Sequence, residues 1–418
     1  MARIVIATFG SLGDLHPVLA LALELRRRGH VAEIATVELY RGKISALGLG
    51  FHALRPELMV VNSELVRAIM DGPRGSEKLL RGLLFPAVRD MYVDLARIVV
   101  GADLLVASEL VYAAPLLAAQ GRVRWVSFSL APLSLFSIFD PPVLPVALAG
   151  EWAHRLPPGI LRAIKTFARL TTRHWWTPVR TLRRELGLPP AGNPLFEGKF
   201  SPRLDLALFS PVLASPQRDW PASTVQTGFC FYDETEAYRE LPEAVEEFLA
   251  AGAPPIVFTL GSAAVHAADD FYLESARAAE QLGRRALLLL GHNPPPPSLA
   301  PSTLAWDYLP FARIFPRAAA IVHQGGVGTT AQALRAGRPM IVVPFAHDQF
   351  DNTARVTRLG VARTLSRANY TGENAARTLT ALLADPKAIT RAAELGAQVR
   401  AERGTELAAD AMERTLRH

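Results

Sequence analysis

Short runs of unbroken apolar and β-branched residues recur along the chain. Each is followed by a polar or glycine-rich turn and then by a stretch of helical periodicity. In the first half the runs are RIVIATF, VAEIATV, DLLVAS, VRWVSFS and DLALFS, and in the second PIVFTLGS, RALLLLG, AAIVHQGG and PMIVVPF. Strands that are apolar on both faces belong to parallel sheets covered by helices on each side. The pattern therefore predicts an α/β protein made of two Rossmann-like units in tandem, with ligands at the carboxyl edges of the strands in a cleft between the units.

Punctuation sets the expected boundaries. The segment from Ser210 to Leu241 is polar and interrupted by prolines, which places a first domain at 1–215, a linker at 216–240 and a second domain at 241–400. A last helical segment, 401–418, remains. The run Pro294–Pro297 is a loop inside the second domain. The first helix, PVLALALELRRRG, is expected to begin near Pro17 and to end on Arg26, Arg27 and Arg28, where cations suit the helix dipole.

Composition narrows the classes. The chain has 418 residues, of which 50% are hydrophobic and 20% charged, and its mean hydropathy is +0.17. That is enough to bury two sizeable cores. The single cysteine, Cys230, excludes an intramolecular disulfide framework and fits a reducing compartment, so a cytoplasmic location is expected. The start, MARIVIATFGSLGD, has the apolar length of a strand and no signal-peptide cleavage pattern. No apolar stretch reaches the ~18 residues of a membrane span, because Asp103, Glu109 and Asp140 interrupt the candidates, so no stable membrane insertion is expected. A net charge of +6 raises nucleic acid as a partner. The arginines are dispersed and no aromatic–basic platform accompanies them, so no nucleic-acid binding is expected. The same field would draw in a doubly charged small anion.

The densest chemistry lies in HQGGVGTTAQALRAGRPMIVVPFAHDQFDN, from His323 to Asn352. Gly325, Gly326 and Gly328 lack a Cβ and allow a ligand close to the backbone. They precede a helix whose first N–H groups and dipole form an anion site suited to a diphosphate. His323 ends an apolar strand and can add a hydrogen bond to the same phosphates, or act as a strand-end histidine bonded to backbone. Asp348 and Gln349 end the next strand, where a carboxylate beside an amide can hold two adjacent sugar hydroxyls. Together these residues describe a sugar-nucleotide site.

This block resembles the donor signature of the family 1 nucleotide-sugar-dependent glycosyltransferases, and the resemblance extends over essentially the whole chain. It implies the GT-B fold, with two facing Rossmann-like domains and a last helix that crosses back to the first. It also implies an inverting transfer of a hexosyl group from a UDP-sugar or a TDP-sugar to a hydroxyl of an apolar small molecule (polyphenol, polyketide or sterol), with no metal or other cofactor. UDP is favoured by family prevalence alone. On the resemblance, Gly261 and Ser262 form a first phosphate-touching turn and Tyr308, in YLPF, stacks on the nucleobase. His323 and the turn Gly325, Gly326, Val327, Gly328 and Thr329 take the diphosphate, and Asp348 with Gln349 takes the sugar. The ribose-binding acidic position falls on Gln332, which lacks the charge-assisted strength of a carboxylate.

The turn FGSLGDLHP is similar to that of the sterol and glycopeptide-antibiotic glycosyltransferases and places Asp14 at the catalytic base. His16 is a rival base that lies out of register with the family turn. Asp14 has a structural alternative as a helix cap, and Glu109 reads as a helix-start carboxylate or as a support for His16. Asp269 and Asp270 read as a cap rather than a metal pair. The apolar, proline-broken stretch from Ser127 to Trp152 suits an apolar acceptor, with Phe128, Phe136, Phe139 and Trp152 as contacts. It also reads as a core-covering or membrane-facing patch, and Trp175 and Trp176 as an acceptor mouth or a lipid contact. Two other functions compete: a non-catalytic sugar-nucleotide-binding helper, and a sugar-nucleotide epimerase of the same architecture. A nicotinamide dehydrogenase is disfavoured because the first turn is not G-x-G-x-x-G.

Overall fold

A computed structural model describes residues 1–57, 63–70, 72–145, 150–233 and 240–417. The expected acceptor stretch therefore includes four residues, 146–149, that lie outside the described residues, and so does 234–239 of the expected linker. The chain divides into two compact units. One comprises Met1–Leu65, Pro73–Tyr232 and Arg403–His418, and the other Val66–Gly72 and Asp233–Glu402.

The first unit holds a seven-stranded sheet of β1 (Arg3–Ala7), β2 (Val31–Thr36), β3 (Gly50–Ala53), β4 (Leu104–Ser108), β5 (Trp125–Ser129), β6 (Asp205–Ala207) and β7 (Thr224–Gln226). Its order is β3-β2-β1-β4-β5-β6-β7, and every pair is parallel. The second unit holds β8 (Ile256–Thr259), β9 (Ala286–Leu289), β10 (Thr303–Trp306), β11 (Ala320–His323), β12 (Met340–Val342) and β13 (Ala362–Thr364). Their order is β10-β9-β8-β11-β12-β13, again all parallel. Strand order reverses between β1 and β4 in one sheet and between β8 and β11 in the other. These are the places where open parallel sheets leave a crevice for a ligand.

The central strands β4, β5, β8, β9 and β11 are buried at every position, as their predominantly apolar sequences require, with Ser108, Ser127, Ser129, Thr259 and His323 buried among them. The sequence pattern did not predict β3, β7, β10 and β13, which are the four sheet edges. β7 lies inside the segment expected to be linker: Thr224, Val225 and Gln226 pair with Asp205, Leu206 and Ala207 of β6.

The first helix also differs from expectation. It spans Leu12–Arg27 and carries Pro17 inside it. Ser11 and Asp14 form a capping box that closes the helix before Pro17, which is why the proline does not mark its start. The final helix, Gly404–Arg417, contributes Ala408, Ala409, Ala411 and Met412 to the first unit's core. Arg28 ties the two helices together, donating to Asp410 at 2.5 Å and Glu413 at 3.1 Å. No helix among the described residues is long and apolar enough to cross a membrane.

Candidate functional site

In the second unit the chemistry gathers at the β8/β11 reversal. After β8, Gly261 takes φ +62°, and a Cβ there would lie 2.4 Å from Gln324 Nε2 and 3.1 Å from Thr329 Oγ1. Only glycine lets this turn close onto the second one. Ser262 is part-buried beside it. After β11, Gly325 takes φ +87°, and a Cβ would meet Val342 Cγ1 at 2.8 Å, Thr353 Oγ1 at 2.9 Å and the Gln349 carbonyl at 3.0 Å. The next helix, Val327–Ala336, starts on Gly326 with no side-chain cap and no acidic residue in its first turn. Gly326, Val327 and Gly328 are only part-buried, whereas Thr329 is buried. A helix end of this kind accepts an anion.

His323 does not face that opening. Its side chain is fully buried. Nδ1 accepts a hydrogen bond from the Gly325 N–H at 3.1 Å, and Nε2 lies 3.4 Å from Met340 Sδ. Burial pushes its pKa down to about 3, so the ring is neutral with its proton on Nε2. The expected direct phosphate contact is thus replaced by a hold on the turn itself. The opposite side of the same residue is held by Asn352, whose Nδ2 donates to the Gly325 carbonyl at 2.9 Å and to Asp348 Oδ2 at 2.7 Å. Asn352 was not among the expected site residues. The one signal for it is its place four residues after Asp348, one helical turn on.

Asp348 accepts from Asn352 and from the Val327 N–H, so its carboxylate lies against the start of the Val327–Ala336 helix. Burial raises its pKa to about 6, against the lowering effect of those bonds. Gln349 Oε1 accepts from the N–H groups of Phe345 at 2.7 Å and Ala346 at 3.0 Å. The expected sugar pair is therefore engaged with the local backbone. Gln332 is part-buried in the helix. Tyr308, just past β10, is 40% exposed, while the adjacent Leu309 is buried and Phe311 stacks on Phe315 at 4.4 Å. Its ring is presented while its neighbours anchor the chain. Asp270 occupies the N-cap position of the Phe271–Gln281 helix without a side-chain cap bond, and Asp269 pairs with Arg367.

In the first unit the β1/β4 reversal carries Gly10 at φ +142°, where a Cβ would fall 2.1 Å from Asp14 Oδ2. The glycine makes room for the Asp14 carboxylate, which accepts from the Ser11 N–H at 2.8 Å. Asp14 is thus the third residue of the helix, with its charge at the positive end of the helix dipole. His16 is part-buried, its ring 5.2 Å from that of Tyr232, over which Lys43 also lies at 5.5 Å. Burial, and secondarily the Lys43 charge, lower the His16 pKa to about 3. Glu109 fills neither expected role. It pairs with the buried Lys199 at 2.6 Å and accepts from Ser134.

The expected aromatic contacts differ in burial. Phe128 is a fully buried residue of β5 and cannot reach an acceptor, because its strand is covered on both faces. Phe136 is part-buried at φ +45°, packed on Phe196 at 4.9 Å and under Lys199 at 5.3 Å. Phe139 lies under Arg218 at 3.7 Å, and Trp152 is exposed. Trp176 belongs to the first unit's core and Trp175 packs against it, so neither forms a free surface pair.

Residues 292–413 match the erythromycin biosynthesis protein CIII-like C-terminal domain. Over 97% of this chain and 95% of the relative, the sequence is 34% identical to the O-mycaminosyltylonolide 6-deoxyallosyltransferase of Streptomyces fradiae. Among solved structures, the kitacinnamycin glycotransferase superposes with a TM-score of 0.71 at 20% identity, covering 99% of both chains. The glycosyltransferase VinC, in complex with dTDP, gives 0.68 at 20% identity over 100% of both.

Proposed function

The chain belongs to the family 1 glycosyltransferases of the GT-B fold, and from that premise we propose that it transfers a deoxyhexosyl group, with inversion, from a thymidine diphosphate sugar to a hydroxyl of an apolar natural product. The observation that carries this reading is the start of the Val327–Ala336 helix, opened by Gly326 at the β8/β11 reversal without a cap from its own side chains. The Val327 N–H is taken by Asp348, so the N–H groups that follow it, with the helix dipole, would meet the diphosphate and stabilise it as the leaving group. No metal is needed in this account, and chelation should leave turnover unchanged.

The deoxyhexosyl group follows the relative at 34% identity, which is named for 6-deoxyallosyl transfer. The choice of thymidine over uridine, which prevalence favoured, is supported by VinC, solved with dTDP. Gln332 adds a chemical reason. A carboxylate grips a vicinal diol through both oxygens, whereas an amide suits the single 3′-hydroxyl of a deoxyribose. Tyr308 would stack on the base.

In the first unit Asp14 would take the acceptor proton as the hydroxyl attacks the anomeric carbon and the carbon–oxygen bond to the diphosphate breaks. A carboxylate is a weak base for an alcohol, so proton transfer must come late, after the sugar has developed oxocarbenium character. His16 is held neutral and would border the acceptor.

The test is calorimetric binding of TDP and UDP at one salt concentration, followed by release of nucleoside diphosphate from the matching sugars. TDP is expected to bind about tenfold tighter, which corresponds to roughly 1.4 kcal/mol. Gln332→Glu should narrow the gap. Tighter UDP binding would overturn the donor assignment. Binding without any release or transfer would favour the helper reading.

A further inference from the structure

We propose that the helix Pro158–Thr171, with Trp152 before it, is a docking surface for an anionic lipid bilayer. The helix buries little. Leu161 joins Ile138 and Ala153 in a small cluster separate from the main core, with Phe139 and Leu156 against it. Its opposite side leaves Ile160, Phe167 and Leu170 exposed at 48%, 56% and 59%, and Ala163 is exposed between them. At 100° per residue these four positions fall on one arc of about 80°. Trp152, 43% exposed, is the residue type that sits at a membrane–water boundary.

Charge selects the occupant. From Arg155 to Arg184 the chain carries eight cations and no carboxylate. Arg155, Arg162 and Arg173 are exposed, while Arg169 pairs with Glu197 and Lys165 donates to the Phe136 carbonyl at 2.7 Å. A second copy of the chain meeting this face symmetrically would set the same cations against one another. An anionic bilayer satisfies both parts of the surface: it buries the apolar arc to the depth of the headgroups and attracts the arginines beside it. This surface lies outside the residues assigned to donor and base, so its test does not depend on the proposed reaction.

The experiment is co-sedimentation of the full chain with vesicles of phosphatidylcholine alone or with 30% phosphatidylglycerol, at low and high salt. Binding is expected to the anionic vesicles and to fall when salt is raised. The double variant Phe167→Ser/Leu170→Ser should lose at least about tenfold in vesicle affinity, and Arg162→Glu/Arg173→Glu a similar amount. Because Cys230 is buried, Phe167→Cys can be labelled selectively with an environment-sensitive fluorophore, whose emission should shift to the blue on anionic vesicles. No binding to either vesicle, equal binding to both, wild-type affinity in the serine variant, or an unshifted label would each overturn the proposal. Capture of an acidic protein without vesicle binding would point to a protein partner instead and would overturn it too.

Discussion

At the scale of single residues, the proposed site works through residues that hold other residues. Asp14 is both the proposed base and half of a capping box. Asp14→Asn keeps an oxygen to accept from the Ser11 N–H, so stability should hardly move while turnover drops roughly 10²–10⁴-fold. If turnover survives in Asp14→Asn and only Asp14→Ala costs ~1 kcal/mol in urea denaturation, the residue is a cap alone. A pH profile cannot replace this comparison. With its pKa near 3, His16 stays neutral well below pH 6, so a histidine base would give the same flat profile as an aspartate. Asn352 offers a cleaner case. Asn352→Ala strands the Gly325 carbonyl and removes a donor from Asp348, which should cost about 1–3 kcal/mol and weaken TDP binding. Wild-type affinity for TDP in that variant would show that the turn holds its shape without it.

At the scale of elements, close backbone approach decides which substitutions the second unit tolerates. The Val327–Ala336 helix ends on Gly337 at φ +67°, and the helix Pro386–Ala401 crosses it there through Gly396. A Cβ on Gly396 would lie 2.6 Å from Gly337 Cα and 2.9 Å from the Leu334 carbonyl. Both neighbours are backbone and cannot rotate away. Gly396→Ala should therefore cost about 1–3 kcal/mol as an overpacking defect. Its effect should appear in thermal denaturation and, because the crossed helix is the proposed diphosphate helix, in TDP affinity. A neutral outcome would mean that the crossing relaxes freely.

At the scale of the whole molecule, acid should unfold the protein in stages. His16 and His323 have pKa values near 3 and His347 near 4, each lowered mainly by burial. The unfolded chain takes up these protons as pH falls through ~6.5, so their contribution is complete above that value and is lost on the way down. Asp205 and Asp348, raised to about 6 by burial, act in the opposite direction. They bind protons in the folded state first and offset part of the loss between pH 6 and ~4. Urea midpoints should fall on acidification from about pH 6.5, flatten between about 6 and 4.5, and fall again below ~4.5 as the unfolded chain protonates Glu24 and Glu33, which arginine hydrogen bonds chiefly hold low in the folded state. A midpoint unchanged from pH 7 to 5 would contradict the buried neutral histidines. The division into units makes a separate prediction. A fragment Asp233–Glu402 keeps the whole six-stranded sheet of its unit, omits Val66–Gly72, leaves the Gly404–Arg417 helix with the unit it packs in, and should fold and bind TDP alone. Folding without affinity would move the donor site elsewhere.

The amino-acid sequence by itself determined the class of fold, the central strands and the two glycine turns. Buried parallel strands are apolar at most positions, and a turn that takes positive φ against a neighbouring side chain favours glycine, so both leave marks that can be read without coordinates. The edge strands β3, β7, β10 and β13 leave no such mark, because one side of each is open and its residues need not be apolar. The place of His323 at the end of β11 was also legible, whereas Asp348 and Gln349, expected at a strand end, stand at the start of the helix Gln349–Arg358. What each side chain touches was not legible. His323 turning inward onto the Gly325 N–H, Asn352 holding the carbonyl of the same residue, Glu109 pairing with Lys199 and Phe128 facing the core all depend on distances between segments far apart in the chain or on which way a strand faces. Residue type limits the bonds a side chain can make, and only the packed structure chooses among them.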